Sequence, residues 1–220
     1  MLLVFIMIFT VNPLQAEENN NEIPFEKMKT PTEVKEFVKM FDKLQYSINV
    51  ERDEEIIQDT TMEYNYLGKD TVNNIKADLV SFKVIEKDNM EEIPNSMKFW
   101  LGNEKIVQIE IEGELISGDI ADMMSEQLLS AIFSPFYSFA KMEISEIENM
   151  DNVNRGHIKI GNKTYNSISF EIPHTSEMNI KNGIVKLAEL NDFFMLVRYD
   201  YQISENNTNY IFTVDSFKLR

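Results

Sequence analysis

Residues that could carry out chemistry are few in this chain, and they form no catalytic pattern. The two histidines, His157 and His174, stand apart, and neither has a second histidine at the spacing of a metal site. The chain has no cysteine, which excludes disulfides, thiolate metal sites and a cysteine nucleophile. It also lacks a glycine-rich phosphate loop and a G-x-S-x-G nucleophile elbow. We therefore predict that the protein is not an enzyme and that it uses no metal or cofactor.

Acidic residues dominate the charge of the chain. The cluster Glu51-Arg52-Asp53-Glu54-Glu55 could collect a cation, but it lacks the glycine and the ligand spacing of a calcium loop. We interpret it as a solvated turn between two strands. The formal net charge of −16 excludes a nucleic-acid backbone as partner, and it disfavours electrostatic docking on an anionic membrane. Solubility is the simplest role for this excess charge.

The N-terminus has the character of an export signal. Residues 1–16 form an apolar run that is too short to span a bilayer comfortably and that ends at Ala16. We expect a signal peptide over 1–16 with cleavage after Ala16, so that the mature protein is exported and has no stable transmembrane segment. An uncleaved N-terminal anchor is the alternative. Residues 17–29 are predicted to be a flexible acidic leader, and residues 30–220 a single domain.

Two segments have the periodicity of helices. Thr30-Pro31-Thr32-Glu33 forms a capping box with proline at the first helical position, and it predicts a helix that runs to about Lys43. The central segment Gly118–Met142 carries apolar residues at spacings of three and four, which predicts a helix that covers a sheet. Pro135 is expected to end or kink this second helix near Ser134, because proline lacks the amide proton.

The rest of the chain alternates apolar and polar residues with a period of two, which predicts about ten or eleven antiparallel strands. The alternating runs are Tyr46–Val50, Met62–Tyr66, Val80–Val84, Val107–Ile111, Ile168–Ile172 and Met195–Tyr201, followed by Ile211–Leu219. Turn-forming pairs separate the runs: Gly68-Lys69, Asn73-Asn74, Asp88-Asn89, Gly102-Asn103, Gly161-Asn162 and Asn191-Asp192. Asn162 and Asn206 also begin glycosylation sequons at predicted turns.

A faint internal repeat relates residues 68–112 to residues 156–200. Residues 79–112 align without gaps to 167–200, and the identical pairs are Ser81/Ser169, Phe82/Phe170, Met90/Met178 and Asn103/Asn191, extended upstream by Gly68/Gly156. The repeat suggests one strand and hairpin unit that is used twice, with the central helix between the copies.

The positive signal for function is apolar. Thirteen methionines and fifteen phenylalanines are many for this length, and methionine suits surfaces that adapt to varied apolar partners. An ordinary sheet and helix core would explain them, and so would a cavity for an acyl chain. The residues that we expect to line such a cavity lie on the central helix and on the strands facing it: Phe82, Trp100, Met123, Met124, Leu128, Ile132, Phe133 and Phe136.

The order of elements, together with the stretch Phe99–Ile111, resembles the LolA/LppX-like family of periplasmic lipoprotein carriers. That stretch, FWLGNEKIVQIEI, is similar to the tryptophan-bearing strand, tight turn and following strand of the family. The resemblance implies an α+β fold: a strongly curved antiparallel sheet, or open half-barrel, with an N-terminal helix and a central covering helix on its concave side. It also implies that the cavity between sheet and helices binds lipid chains.

We therefore expect non-catalytic binding of a lipid or other hydrophobic ligand outside the cytoplasm, in the periplasm, the cell envelope or the extracellular space. The alternative is an envelope or surface interaction module without a small ligand, whose acidic outer face or sheet edge meets another protein. An exposed apolar patch would favour this second class.

Overall fold

The computed structural model describes residues 38–86, 96–102, 105–140, 153–171, 180–190, 193–203 and 207–220. Their main feature is one antiparallel sheet of eleven strands, in the order β6-β5-β4-β3-β2-β1-β11-β10-β9-β8-β7. The bounds are β1 Phe41–Arg52, β2 Glu55–Val72, β3 Ile75–Glu86, β4 Ser96–Leu101, β5 Ile106–Ile111, β6 Glu114–Ser117, α1 Asp119–Ala140, β7 Asn154–Ile160, β8 Lys163–Glu171, β9 Ile180–Leu190, β10 Phe193–Ile203 and β11 Thr208–Leu219.

The predicted antiparallel sheet and central helix are therefore confirmed. The predicted signal peptide, the acidic leader and most of the N-terminal helix lie outside the described residues, as does His174. The prediction that the N-terminal helix reaches Lys43 is wrong, because β1 already begins at Phe41 and pairs there with Leu219.

Alternation of apolar side chains places the core on one face of the sheet. Leu44 of β1, Tyr64 of β2 and Phe82 of β3 stand side by side in the strand register, and all three are buried. Residues between the buried positions of β1 and β2 are partly exposed, as a strand with one apolar face requires. We call the face that carries these three residues the inner face.

Hairpin turns in the first half of the sheet use backbone conformations that few residues adopt. Asp53-Glu54 and Asn73-Asn74 have positive φ angles at both positions, which matches the tight two-residue turns of twisted hairpins. The predicted turn at Gly68-Lys69 is wrong, since β2 runs on to Val72. At that point the register shifts, and Gly68, with φ of 114°, lets the strand bend without ending.

The second half of the sheet curls back on itself. β10 pairs with β11 only from Arg198 to Ile203, so the first part of β10 and the last part of β11 are not paired with each other. The turn between β7 and β8 approaches this seam, where the Gly161 amide donates to the Asp215 carbonyl at 3.0 Å. β7 and β11 are four positions apart in the sheet, so this contact requires strong curvature.

Helix α1 joins the two outermost strands by crossing the inner face. It follows β6 at one edge, contacts β5 and β6, and also packs against β10 in the other half of the sheet. Its 22 residues span about 33 Å. Pro135 does not end the helix, since α1 continues to Ala140 with Phe136 beyond the proline buried against the sheet. The alternative, a kink near Ser134, stays a prediction. No helix among the described residues has the length and apolar character needed to cross a membrane.

The two stretches related by the internal repeat correspond to β3–β5 and β8–β10. β3 and β8 stand six positions apart in an antiparallel sheet, so they point in the same direction, and each is followed by its next strand on the same side. This arrangement is compatible with a duplicated unit, and the duplication stays a prediction.

Candidate functional site

An aromatic cluster fills the space between α1 and the inner face. Phe82, Ile132, Phe133 and Phe136 of the predicted site all belong to it, and each has at most 5% of its surface exposed. The Phe133 ring lies 5.8 Å from that of Tyr64 and 5.5 Å from that of Phe82, measured between centroids. The predicted cavity is therefore occupied at this point by packed side chains.

Two buried tyrosines tie this cluster to the backbone around it. Tyr64 donates its hydroxyl to the Val38 carbonyl at 2.9 Å, and Tyr46 donates to the Ile132 carbonyl of α1 at 3.5 Å. Burial raises the pKa of both phenols well above the usual range, so they remain neutral donors at physiological pH. Both hydroxyls therefore satisfy backbone carbonyls of the protein.

Three other predicted residues lie on less buried parts of α1. Leu128 is half-buried and packs against the core, and Met124 is also half-buried. Met123 departs from the prediction, because 60% of its surface is exposed. The helical register explains this placement, since Ala121, Ser125 and Leu129 define the face that meets the sheet and Met123 points away from it.

Trp100 also departs from the prediction, because it lies on the outer face of the sheet. Its neighbour Phe99 belongs to the inner core, and consecutive residues of a strand point to opposite faces. Trp100 packs with Ala77 and Val107 under the bent end of the β2–β3 hairpin. Its indole nitrogen donates to the Asp70 carboxylate at 2.8 Å, and this bond lowers the pKa of Asp70, with help from the Thr71 amide.

A row of tyrosines extends the inner face beyond the helix contacts. Tyr199, Tyr201 and Tyr210 stack with centroid distances of 4.8 and 4.9 Å. Burial raises the pKa of Tyr199 to about 12. The Tyr201 and Tyr210 rings are stacked at an interplanar angle of 9°, and the Tyr199 ring is tilted by 32° from that of Tyr201. The row stiffens the β10–β11 hairpin.

A pocket of about 240 Å³ lies at the seam in the second half of the sheet, where the last part of β11 is not paired with β10. The Tyr165 and Phe217 rings lie 5.2 Å apart beside it. The pocket is lined by apolar and charged side chains from three strands: Lys163, Tyr165, Glu189, Leu190, Phe217, Lys218 and Leu219. Lys218 is held by an ion pair with Asp42 on β1.

None of these pocket residues was singled out in the sequence. They come from the start of β8 and the ends of β9 and β11, so no short motif contains them. The strand prediction for Ile211–Leu219 placed Phe217 and Leu219 in a strand. It could not show that pairing with β10 stops at Thr213, which is what opens the space.

The described residues contain no group of three acidic or histidine side chains placed to hold a metal ion. His157 is exposed on the edge strand β7. Asp53 and Glu54 of the acidic cluster form the β1–β2 hairpin turn, and the Asp53 carboxylate accepts a bond from the Asn207 side chain at 3.4 Å.

No protein-family model matches the chain, and no curated protein matches it. Several solved structures are similar in fold. MucB shares 10% identity over 86% of this chain, which spans 57% of the MucB chain, with a TM-score of 0.35. The lipoprotein LppX of Mycobacterium tuberculosis shares 14% identity, covers 85% of this chain and 92% of its own, and has a TM-score of 0.31.

A LolA superfamily protein from Nitrosomonas europaea is also similar, with 6% identity, 88% of this chain and 94% of that chain covered, and a TM-score of 0.29. The matched structures thus include LppX and a LolA superfamily member, the family that the sequence resembles. At these identities and TM-scores the matches carry no conclusion about ligand, partner or activity.

Proposed function

We propose that this protein binds a hydrophobic ligand outside the cytoplasm and performs no reaction on it. The observation that supports this proposal is the pocket at the seam, which combines apolar walls from Tyr165, Leu190 and Phe217 with charged groups at Lys163 and Glu189. Polar groups that orient a ligand against apolar walls are common in pockets that bind small molecules, and in this pocket charged and apolar side chains contribute in similar measure.

The volume of the pocket limits the part of a ligand that it can hold. At about 30 Å³ for each water-sized group, 240 Å³ corresponds to at most about eight such groups, the length of an eight-carbon chain, and the open side of the pocket leaves part of that chain in contact with water. Burying eight methylenes gains about 6 kcal/mol, and association costs about 4 kcal/mol or more. The pocket alone therefore binds a short chain weakly, with a dissociation constant above about 1 mM.

A longer chain would need space under α1, where Phe133 and Phe136 are packed. Tight binding of a full-length acyl chain thus requires Phe133 to move away from Tyr64 and Phe82. Phe136 would likewise have to leave its contacts with Tyr46 and Phe212. Affinity measured against chain length tests this requirement. It should rise up to about eight carbons and then level off if α1 stays in place, and continue to rise if the helix yields.

The site itself is tested with 1-hexanol, an uncharged short-chain alcohol that can be titrated into the millimolar range that this affinity requires, with binding to the folded protein followed by nuclear magnetic resonance. Leu219→Trp should fill the pocket and abolish binding, whereas the matched variant Leu115→Trp, at a position 61% exposed on the opposite edge of the sheet, should bind normally. Equal binding by the two variants would show that the pocket is not the site.

Native mass spectrometry of the protein purified gently from its own host addresses the natural ligand. A bound species that extracts into organic solvent supports the proposal. Clean ligand-free protein that also takes up no added alcohols or fatty acids would refute it.

A further inference from the structure

The edge of the sheet at β6 lies outside the proposed ligand site, and it combines a strand side without a strand partner, exposed apolar residues and acidic charge. β6 has β5 as its one neighbour in the sheet of described strands, so its other side carries no strand partner there. Leu115 in the middle of β6 is 61% exposed. Exposed strand edges with apolar side chains are templates for another strand, and proteins usually protect them with lysine or proline.

Helix α1 also begins with exposed apolar residues, on the inner side of the sheet. It begins two residues after β6, and Ile120 and Met123 in its first turns are 61% and 60% exposed. These two residues are three positions apart and point away from the sheet, so they share one side of the helix. Few large apolar residues of the described chain are as exposed as these two and Leu115.

The charge around the edge is predominantly acidic. Residues 106–122 contain no lysine or arginine, and their acidic residues are Glu110, Glu112, Glu114, Asp119 and Asp122. Lys98 pairs with Glu110 at 2.7 Å and Lys105 with Asp119 at 3.3 Å, which neutralises part of this charge. Glu114 on β6 itself is exposed. A second copy of this edge would therefore be repelled, whereas a basic segment would be attracted.

We propose that the β6 edge binds a basic, apolar segment of another protein, which adds to the sheet as an antiparallel strand. The register gives its sequence pattern. Ile116 pairs with the buried Ile109 and lies on the inner face, so Leu115 lies on the outer face. A strand that runs antiparallel to β6 faces Ser117 first, and then Ile116, Leu115 and Glu114. The added strand is complementary to β6 when it places apolar residues opposite Ile116 and Leu115 and a basic residue opposite Glu114.

The test uses the full chain and a capped peptide that reads threonine, two valines, two lysines and threonine. We expect saturable binding by calorimetry, an affinity that falls as salt is added, and slower amide exchange in β6. Leu115→Lys should weaken binding by about fivefold or more, because it replaces an apolar contact with a like charge. The control Leu67→Lys, at a position 51% exposed on β2, should bind as the unchanged protein does.

Backbone methylation distinguishes strand addition from simple charge attraction. In an added strand, every second amide of the peptide faces β6 and donates a hydrogen bond to it. A peptide methylated on the amides that face β6 should therefore fail to bind, whereas a peptide methylated on the other amides should bind. Equal binding of both peptides would overturn the proposal, and so would equal binding by the Leu115→Lys and Leu67→Lys variants. A dimer in light scattering that Leu115→Lys dissociates would show that a second copy occupies the edge, and would also overturn it.

Discussion

Replacing Phe133 with alanine tests whether α1 is packed on the sheet or loosely covers a cavity. The Phe133 side chain is fully buried, and its ring contacts those of Tyr64, Phe82 and Phe136 at centroid distances of 5.8, 5.5 and 6.0 Å. Truncating a buried phenylalanine typically costs 3–5 kcal/mol, and each aromatic pair contributes about 0.5–1.5 kcal/mol beyond its buried area. Because all three ring contacts disappear together, we expect a loss of about 4 kcal/mol.

The assay is urea unfolding followed by far-ultraviolet circular dichroism, with the slope of the transition checked for constancy. Met123→Ala is the matched control, since it truncates a large apolar side chain on the same helix at a position 60% exposed. We expect its free energy of unfolding to change by less than about 0.5 kcal/mol.

A loss of less than about 1 kcal/mol for Phe133→Ala would refute the packed interpretation. It would mean that the ring borders open space in solution, and that an acyl chain could enter under α1 without displacing side chains. A large loss in the free energy of unfolding would mean that a long ligand must displace the Phe133 ring at a comparable cost in free energy.

Three further predictions concern other contacts. The bond between Trp100 and Asp70 stabilises the fold at neutral pH and is lost as pH falls through the lowered pKa of Asp70. The fluorescence of Trp100, the sole tryptophan, should therefore change at a pH below the usual aspartate pKa. This change should be missing in the variant Asp70→Asn. Arg220→Lys should cost about 1 kcal/mol in urea unfolding, because the guanidinium lies 3.6 Å from the centre of the Tyr66 ring; an unchanged midpoint would contradict this. Ser125→Ala should leave the melting temperature equal or higher, because the buried hydroxyl finds no hydrogen-bond partner among the described residues; a clear fall would indicate one.

Local periodicity was sufficient to predict most elements of the sheet. The alternation at Tyr46, Ile48 and Val50 predicted β1, and the spacing along Gly118–Met142 predicted a helix there and placed its start within one residue of Asp119. These patterns reflect which side chains an isolated strand or helix must bury, and this depends on neighbours in sequence. Pro135 does not end α1, because tertiary packing of Phe136 outweighs the local cost of proline in a helix.

The face on which Trp100 lies could not be predicted from the sequence. Phe99, Trp100 and Leu101 form a continuous apolar run, so alternation does not assign a side to any of them. The inner face takes Phe99 because it pairs with Ile109 and Val80 of the core. Trp100 is then buried only because β2 bends at Gly68 and brings Asp70 over it.

The sequence by itself determined the antiparallel strands, the covering helix and the apolar residues that join them, because these follow from side-chain periodicity. Only the tertiary structure decided where space is left for a ligand. The rings of Phe133 and Phe136 fill the predicted cavity, whereas the pocket opens where β10 and β11 separate after Thr213. The physical reason is that packing and strand pairing depend on residues far apart in the chain, such as Tyr165 and Phe217, whose proximity no local pattern records.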